Sequence, residues 1–176
     1  IAEAELIAGT ASTRLRTWPE AEAELTRSLL AAEAGRDARA RARALIYLIS
    51  VAAERATFAE GHNRDDHATA ILKGLGNEGG LTAELAYHRG NLLLREGKLE
   101  AAAQALRAAI ERREALYGPN DARVAEPIGI LAVVHITRKE YDEARTLLGR
   151  VMQIQEATLG PSHPNTGRTL HTVAQL

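Results

Sequence analysis

The feature that most constrains this fold is a glycine phrase that returns at a fixed interval. Gly118-Pro119 and Gly160-Pro161 stand 42 residues apart, and one interval earlier Gly76 falls in another glycine-bearing turn. A period of this length, within a range of about 20–50 residues, is typical of repeat arrays, in which single units stack to bury a shared core. The segment 116–165 therefore contains one complete repeat, and it sets the period for the whole chain.

Composition indicates that the repeated unit is helical. Of the 176 residues, 45% are hydrophobic and only 3% are aromatic, and the residues that enter helices most easily, Ala, Leu, Glu and Arg, are abundant. The net charge of −1 does not resemble a nucleic-acid binder. Cysteine is absent, which fits a reducing compartment, and no apolar run approaches the ~20 residues that span a bilayer. We predict an all-α cytoplasmic protein without nucleic-acid or membrane partners.

A second regularity predicts how the helices pair. Three predicted second helices share the spacing +4, +3, +1, in Ala21-Leu25-Ser28-Leu29, Ala102-Leu106-Ala109-Ile110 and Ala144-Leu148-Val151-Met152. Each leading Ala follows a small residue by twelve positions, namely Gly9, Gly90 or Ala132. Small residues on both helices let the two arms of an antiparallel hairpin approach closely, because the side chains at the contact set the interaxial distance.

These anchors resemble tetratricopeptide repeats (TPR), and residues 82–176 resemble the 42-residue repeats of kinesin light chain. The matching motifs are Val124-Ala125, Leu131-Ala132, Glu140-Tyr141-Asp142-Glu143-Ala144, Leu147, Ile154-Gln155-Glu156 and Leu159-Gly160-Pro161-Ser162-His163-Pro164. The resemblance implies a right-handed superhelical solenoid of antiparallel helix hairpins, with about four repeats and one unpaired C-terminal helix. We place a single domain over residues 1–176, with repeats at about 2–35, 39–75, 82–117 and 122–159 and a partial repeat at 164–176.

Three places depart from a regular repeat. Residues 61–67 read as a polar break that precedes a short helix ending near Leu75. Pro127 falls a turn or more inside its helix, where a lost hydrogen bond costs up to ~3 kcal/mol, so we expect a loose or late start to that helix. Arg89 occupies a position where the family prefers Leu, and His135 replaces its usual Tyr; we expect His135 to be a core histidine with one hydrogen bond.

Two further motifs suggest chemistry. Residues 74–79 match G-x-G-x-x-G, but the dinucleotide fingerprint needs a preceding strand and a βαβ unit, and here the preceding segment is helical. His62, Asp65, Asp66 and His67 are metal-capable side chains in close sequence, although nothing nearby supplies a second shell of partners. A turn is the better interpretation of both, and we predict no cofactor, no metal site and no catalytic residue.

The resemblance also predicts where a ligand would bind. In the family, the first helices line a concave face that binds extended peptides or partner helices. Counting from each inner small residue places these side chains in that groove: Glu84, Tyr87, His88, Asn91, Arg95, Glu126, Ile130, Val133 and Thr137. The alternative is a solvated inner face without a ligand. Family patterns for particular ligands are missing, since Gly129 and Ile130 replace the paired Asn of kinesin light chain, and of the Lys/Asn/Arg carboxylate clamp only Asn91 is present.

The leading functional hypothesis is a non-catalytic protein-interaction scaffold. A second hypothesis is a regulatory segment of a larger protein, because such repeats in bacteria often follow a serine/threonine kinase or a transcriptional regulator. The start at Ile1 and the end inside a repeat favour a fragment of a larger protein. A third hypothesis, an enzyme that depends on a metal or a nucleotide, would use residues 62–67 or 74–79. We also expect the last helix, with Leu170, Val173 and Leu176, to self-associate or to fray.

Overall fold

The computed structural model describes Leu6 and residues 17–176, and within 17–176 it contains eight α-helices and no strand. The helices are α1 (Trp18–Ala34), α2 (Ala38–Glu54), α3 (Phe58–Gly74), α4 (Gly79–Arg95), α5 (Leu99–Tyr117), α6 (Ala122–Thr137), α7 (Tyr141–Leu159) and α8 (Pro164–Ala174). The predicted first helix, with Gly9, lies outside the described residues apart from Leu6, which is helical and buried.

Successive helices pack as hairpins, α2 with α3, α4 with α5 and α6 with α7, and the hairpins stack side by side. First helices also contact first helices, since α4 touches both α2 and α6. The apolar residues between the helices form three clusters along the stack. The predicted all-α solenoid of helix hairpins is therefore confirmed.

The repeated glycine phrase has a conformational reason. Gly118 has φ 87° and ψ 156°, and Gly160 has φ 88° and ψ 159°, so the two turns between repeats share one backbone conformation. This region of backbone space is essentially restricted to glycine. The 42-residue interval in the sequence thus marks the point where each long second helix ends and the next first helix begins.

The predicted small residues sit where two helices touch. A Cβ added to Gly90 on α4 would lie 2.6 Å from Cγ of Leu106 on α5. The leading residues of the anchor pattern, Ala21, Ala102 and Ala144, are completely buried. The close approach of α4 and α5 therefore depends on the small residue at position 90.

The expected polar break at residues 61–67 is wrong, because these residues belong to the continuous helix α3. The turn comes earlier, at residues 55–57, where Ala56 adopts a φ of 56°. The buried stripe of α3 is Gly61, Asp65, Ala68 and Leu72. It follows the same +4, +3 spacing as the other second helices, with Gly61 placed 41 residues before Ala102. A glycine and an aspartate at the first two anchor positions hide this pattern in the sequence.

The expected loose or late start of the helix with Pro127 is also wrong. Helix α6 runs without interruption from Ala122, and the Asp121 side chain caps it by accepting a hydrogen bond from the Arg123 amide. Pro127 has no N–H to donate to the Arg123 carbonyl one turn earlier. The guanidinium of Arg113, which reaches across from α5, donates to that carbonyl instead. A neighbouring helix thus replaces the hydrogen bond that proline removes.

Candidate functional site

A pocket of about 420 Å³ opens on the face formed by the first helices α2, α4 and α6. We call it the central pocket. Its lining from α2 and α4 includes Tyr47, Ser50, Glu54, Glu84, Tyr87, His88 and Asn91. The remaining polar and aromatic side chains are Arg123 and Glu126 from α6, Arg113 and Tyr117 from the end of α5, and Trp18 from α1.

Five of the nine predicted groove residues line this pocket: Glu84, Tyr87, His88, Asn91 and Glu126. Arg95 is placed one turn beyond Asn91 and forms an ion pair with the pocket residue Glu54 across the two first helices. The structure therefore gathers the predicted residues of α4, together with one residue of α6, around a single cavity.

The other three predicted residues, all on α6, lie elsewhere. Ile130 packs against an apolar cluster between α5, α6 and α7. Val133 is 42% exposed and lines a separate depression of about 270 Å³ beside α8. The Thr137 hydroxyl donates to the carbonyl of Val133 at 2.8 Å. These residues do not line the central pocket.

Sequence reasoning missed the residues of α2 and α5. The count used for α4, moved back by 41 residues, places Tyr47, Ser50 and Glu54 in the positions of His88, Asn91 and Arg95. That signal was available for α2. No such count finds Arg113 and Tyr117, because they reach the pocket from the end of a second helix.

His88 forms a neutral wall of the pocket. Its Nδ1 lies 2.5 Å from the Ser50 hydroxyl, and its ring meets the edges of Tyr47 and Tyr87 at centroid distances of 5.4 and 4.9 Å. Burial, assisted by the positive charge of Arg113, lowers the pKa of His88 to about 3. His88 is therefore uncharged at neutral pH, when it can donate one hydrogen bond and accept one.

The arginines that line the central pocket are engaged by other residues of the chain. Arg113 lies 2.9 Å from the Glu126 carboxylate and 4.9 Å above the ring of Tyr87. Arg123 contacts the Asp121 carboxylate at 2.8 Å and lies 3.4 Å above the ring of Tyr117. Burial, together with the nearby Glu126 charge, raises the pKa of Tyr87 to about 12, so its hydroxyl stays protonated.

Glu84 differs from the other pocket carboxylates. Its Oε2 is buried and has no hydrogen-bond partner. Burial raises the pKa of Glu84, and the charges of Arg43 and Arg113 oppose that shift. An unpaired buried carboxylate oxygen is energetically costly, and the bonding capacity of Glu84 is in this respect unused.

Models of the tetratricopeptide repeat match residues 82–123 and 125–176, which together make up more than half of the chain. This chain belongs to the tetratricopeptide-repeat family. The TPR stack is also similar to the crystal structure of BtubC (BKLC) from P. vanneervenii, with a TM-score of 0.80 and 18% identity over 98% of this chain and 70% of that chain. At this identity the similarity concerns the fold. No curated protein sequence matches the chain.

The predicted kinesin-light-chain-like character of these TPR repeats is confirmed. TPR arrays are in general scaffolds for protein interactions, and the fold is typically non-catalytic. In the described part of this TPR chain, no helix combines the length and the apolar character that a membrane span requires.

The two motifs that suggested chemistry belong to the TPR scaffold. The glycine motif spans the turn between α3 and α4. His62 and Asp65 lie on α3, where His62 contacts Glu96, the residue directly after α4, and Asp65 contacts Arg89 of α4, each at 2.7 Å. No group of three or more metal-capable side chains is gathered at one point among the described residues. The helical setting replaces the loop that the sequence suggested for residues 62–67.

Proposed function

We propose that this TPR stack binds an extended peptide or a helix of a partner protein in the central pocket. The observation that carries the proposal is a 420 Å³ pocket that spans three consecutive first helices and combines aromatic walls with polar groups. Specific binding sites typically have such a lining, in which large apolar surfaces supply affinity and a few polar groups fix orientation.

The hydrogen-bonding groups of the pocket suit a peptide backbone. The Asn91 amide has no hydrogen-bond partner among the described residues, and it can both donate and accept. It lies next to the neutral pair of Ser50 and His88. Uncharged donors and acceptors of this kind match the N–H and C=O groups that an extended segment presents.

Peptide display on the whole chain tests the proposal. Peptides selected by the wild type should bind N91A up to about tenfold more weakly, because a lost hydrogen bond of 0.5–1.5 kcal/mol corresponds to at most about a factor of ten. Tyr87→Phe, which removes only a hydroxyl, should weaken binding less. Asn120→Ala is the matched control, because Asn120 is exposed in the turn before α6 and lies outside the pocket. Selected peptides that bind N91A and N120A as tightly as the wild type would refute the proposal.

A further inference from the structure

One carboxylate of the central pocket lacks a hydrogen bond at one of its oxygens. Three glutamates line it, Glu54, Glu84 and Glu126. Glu54 is paired with Arg95 and Glu126 with Arg113. Glu84, in the middle first helix, has a buried oxygen without a hydrogen-bond partner.

The cations around the pocket do not close this gap. Arg113 donates to Glu126 and to the carbonyl of Arg123, and Arg123 is held by Asp121. Arg43 of α2 acts on Glu84 through space without donating a hydrogen bond to its buried oxygen. The adjacent histidine, His88, is neutral. No described side chain donates a hydrogen bond to the buried Glu84 oxygen, so a bound ligand is the remaining source of a donor.

We propose that the central pocket takes a lysine or arginine side chain of the bound segment, with the cation against Glu84 and the aliphatic part against Trp18 and Tyr47. This inference rests on the proposed function and specifies its ligand. A cation that enters the pocket satisfies the unpartnered oxygen through a charge-assisted hydrogen bond, which is stronger than a neutral one. Trp18 and Tyr47 offer ring surface to the aliphatic part of that side chain, as is usual for lysine and arginine stems.

The same geometry rejects acidic segments. A carboxylate that approached Glu84 would place two like charges in a site already shielded from water, and such juxtapositions cost several kilocalories per mole. A neutral side chain would exclude the remaining water and leave Glu84 without any partner. Selectivity thus arises from repulsion as well as from attraction.

Binding of a cation should be linked to protonation. The groups that act on Glu84 are Arg43 of α2, Arg113 of α5 and Glu126 of α6, in addition to the burial that raises its pKa. A bound cation favours the ionised carboxylate and lowers that pKa, so binding releases a proton. The affinity for a basic segment should therefore fall as the pH decreases through the pKa of Glu84, and E84Q should lose this dependence.

The experiment is peptide selection on the wild type, on Glu84→Gln and on Glu111→Gln, whose glutamate is exposed on α5 outside the pocket. The wild type and E111Q should enrich lysine or arginine at one position, and E84Q should lose that preference. In a selected peptide, replacement of this residue by norleucine should weaken wild-type binding about tenfold or more, the value of a hydrogen bond to a charged group. E84Q should bind both peptides equally. Glu84→Asp, which keeps the charge, should retain part of the preference.

The outcomes separate the two proposals. Selected peptides that are insensitive to N91A refute binding in the pocket, and with it the cationic ligand. Peptides that depend on Asn91 but show no basic preference, or whose lysine is equally important for E84Q, refute only the role of Glu84. Thermal unfolding of E84Q and E84D establishes that a changed selection reflects the pocket, because both variants should unfold as cooperatively as the wild type.

Discussion

The contact between Arg113 and helix α6 allows a quantitative test of how this repeat tolerates proline. Arg113 is 7% exposed, and its guanidinium donates to the Arg123 carbonyl that Pro127 leaves without its helical donor. The variant Arg113→Met keeps most of the apolar volume of the side chain and removes the donor. We expect it to destabilise α6 selectively, because repeat proteins are stabilised by local and nearest-neighbour contacts.

The magnitude follows from the individual contacts. Loss of a hydrogen bond from a charged donor costs about 1.5–3 kcal/mol, and loss of the cation–π contact with Tyr87 costs about 0.5–1 kcal/mol. The ion pair with Glu126 adds little, because the Glu126 side chain is 61% exposed. The free energy of opening of α6 should therefore fall by about 2–4 kcal/mol.

A second substitution separates the energetic contribution of the hydrogen bond to the Arg123 carbonyl from that of the other Arg113 contacts. In Pro127→Ala, the new N–H can donate to the Arg123 carbonyl within the helix, so this carbonyl stays paired when Arg113 is removed. R113M should then cost less in the P127A background than in the wild type, by about 1–2 kcal/mol. Arg112→Met is the control, because Arg112 is exposed and, within the described residues, donates only inside its own helix, to Ala108.

Amide hydrogen exchange of α6, measured by NMR for the four members of the double-mutant cycle, reports local opening free energies. The coupling energy between R113M and P127A decides whether the two residues act together. If R113M costs the same in both backgrounds within about 0.5 kcal/mol, the two substitutions are independent. The idea that Arg113 stands in for the missing proline donor would then be wrong.

Three other outcomes are expected. Gly90→Ala should lower the free energy of unfolding by about 1–3 kcal/mol in chemical denaturation, because the new Cβ would lie 2.6 Å from Leu106 Cγ. Gly129→Ala, where a Cβ meets open space, should instead stabilise the protein by up to about 1 kcal/mol. Equal effects of the two substitutions would contradict this prediction. Since burial raises the pKa of Glu84 above 4.5 in the folded state, the native state binds more protons, and stability is lost as pH rises through the folded pKa. E84Q should show a weaker dependence of stability on pH and should be more stable than the wild type at neutral pH. The same pH dependence of melting in E84Q and in the wild type would refute this prediction. If α8 mediates self-association, Leu170→Glu should lower the sedimentation mass, because Leu170 is 55% exposed; a wild-type monomer at all concentrations would exclude it.

The sequence predicted the repeat architecture well wherever the buried positions carry apolar or small residues. It failed at α3, where Asp65 occupies a buried anchor position and Arg89 of α4 occupies a position that the family fills with Leu. The two irregularities are partners, because Arg89 Nε donates to Asp65 Oδ2 at 2.7 Å. A polar residue at a buried position and another at a half-buried one resemble a break when each is judged alone. Only the packing of α3 against α4 shows that together they form a contact.

The residues of the candidate site were predictable from the sequence where they follow the regular spacing of one first helix. A count along α4 found Glu84, Tyr87, His88 and Asn91, because side chains three and four residues apart share a helix face. Ile130 and Val133, counted in the same way along α6, do not line the central pocket, because Ile130 packs against a cluster that includes α7 and Val133 lines the depression beside α8. The long-range contacts of Arg113 could not be predicted from spacing at all. They depend on the packing of α5 against α4 and α6, which brings Arg113 over the Tyr87 ring and within hydrogen-bonding distance of Glu126.

Most residues that line the central pocket belong to α2, α4 and α6, one helix from each of three consecutive repeats. Its width therefore depends on the angle between successive hairpins, which is the curvature of the whole stack. A ligand that touches all three helices acts as a brace against bending. By reciprocity, a pulling force or a neighbouring domain that straightens the stack would spread the walls and release the ligand. The affinity of the central pocket for its ligand would therefore depend on the curvature of the solenoid.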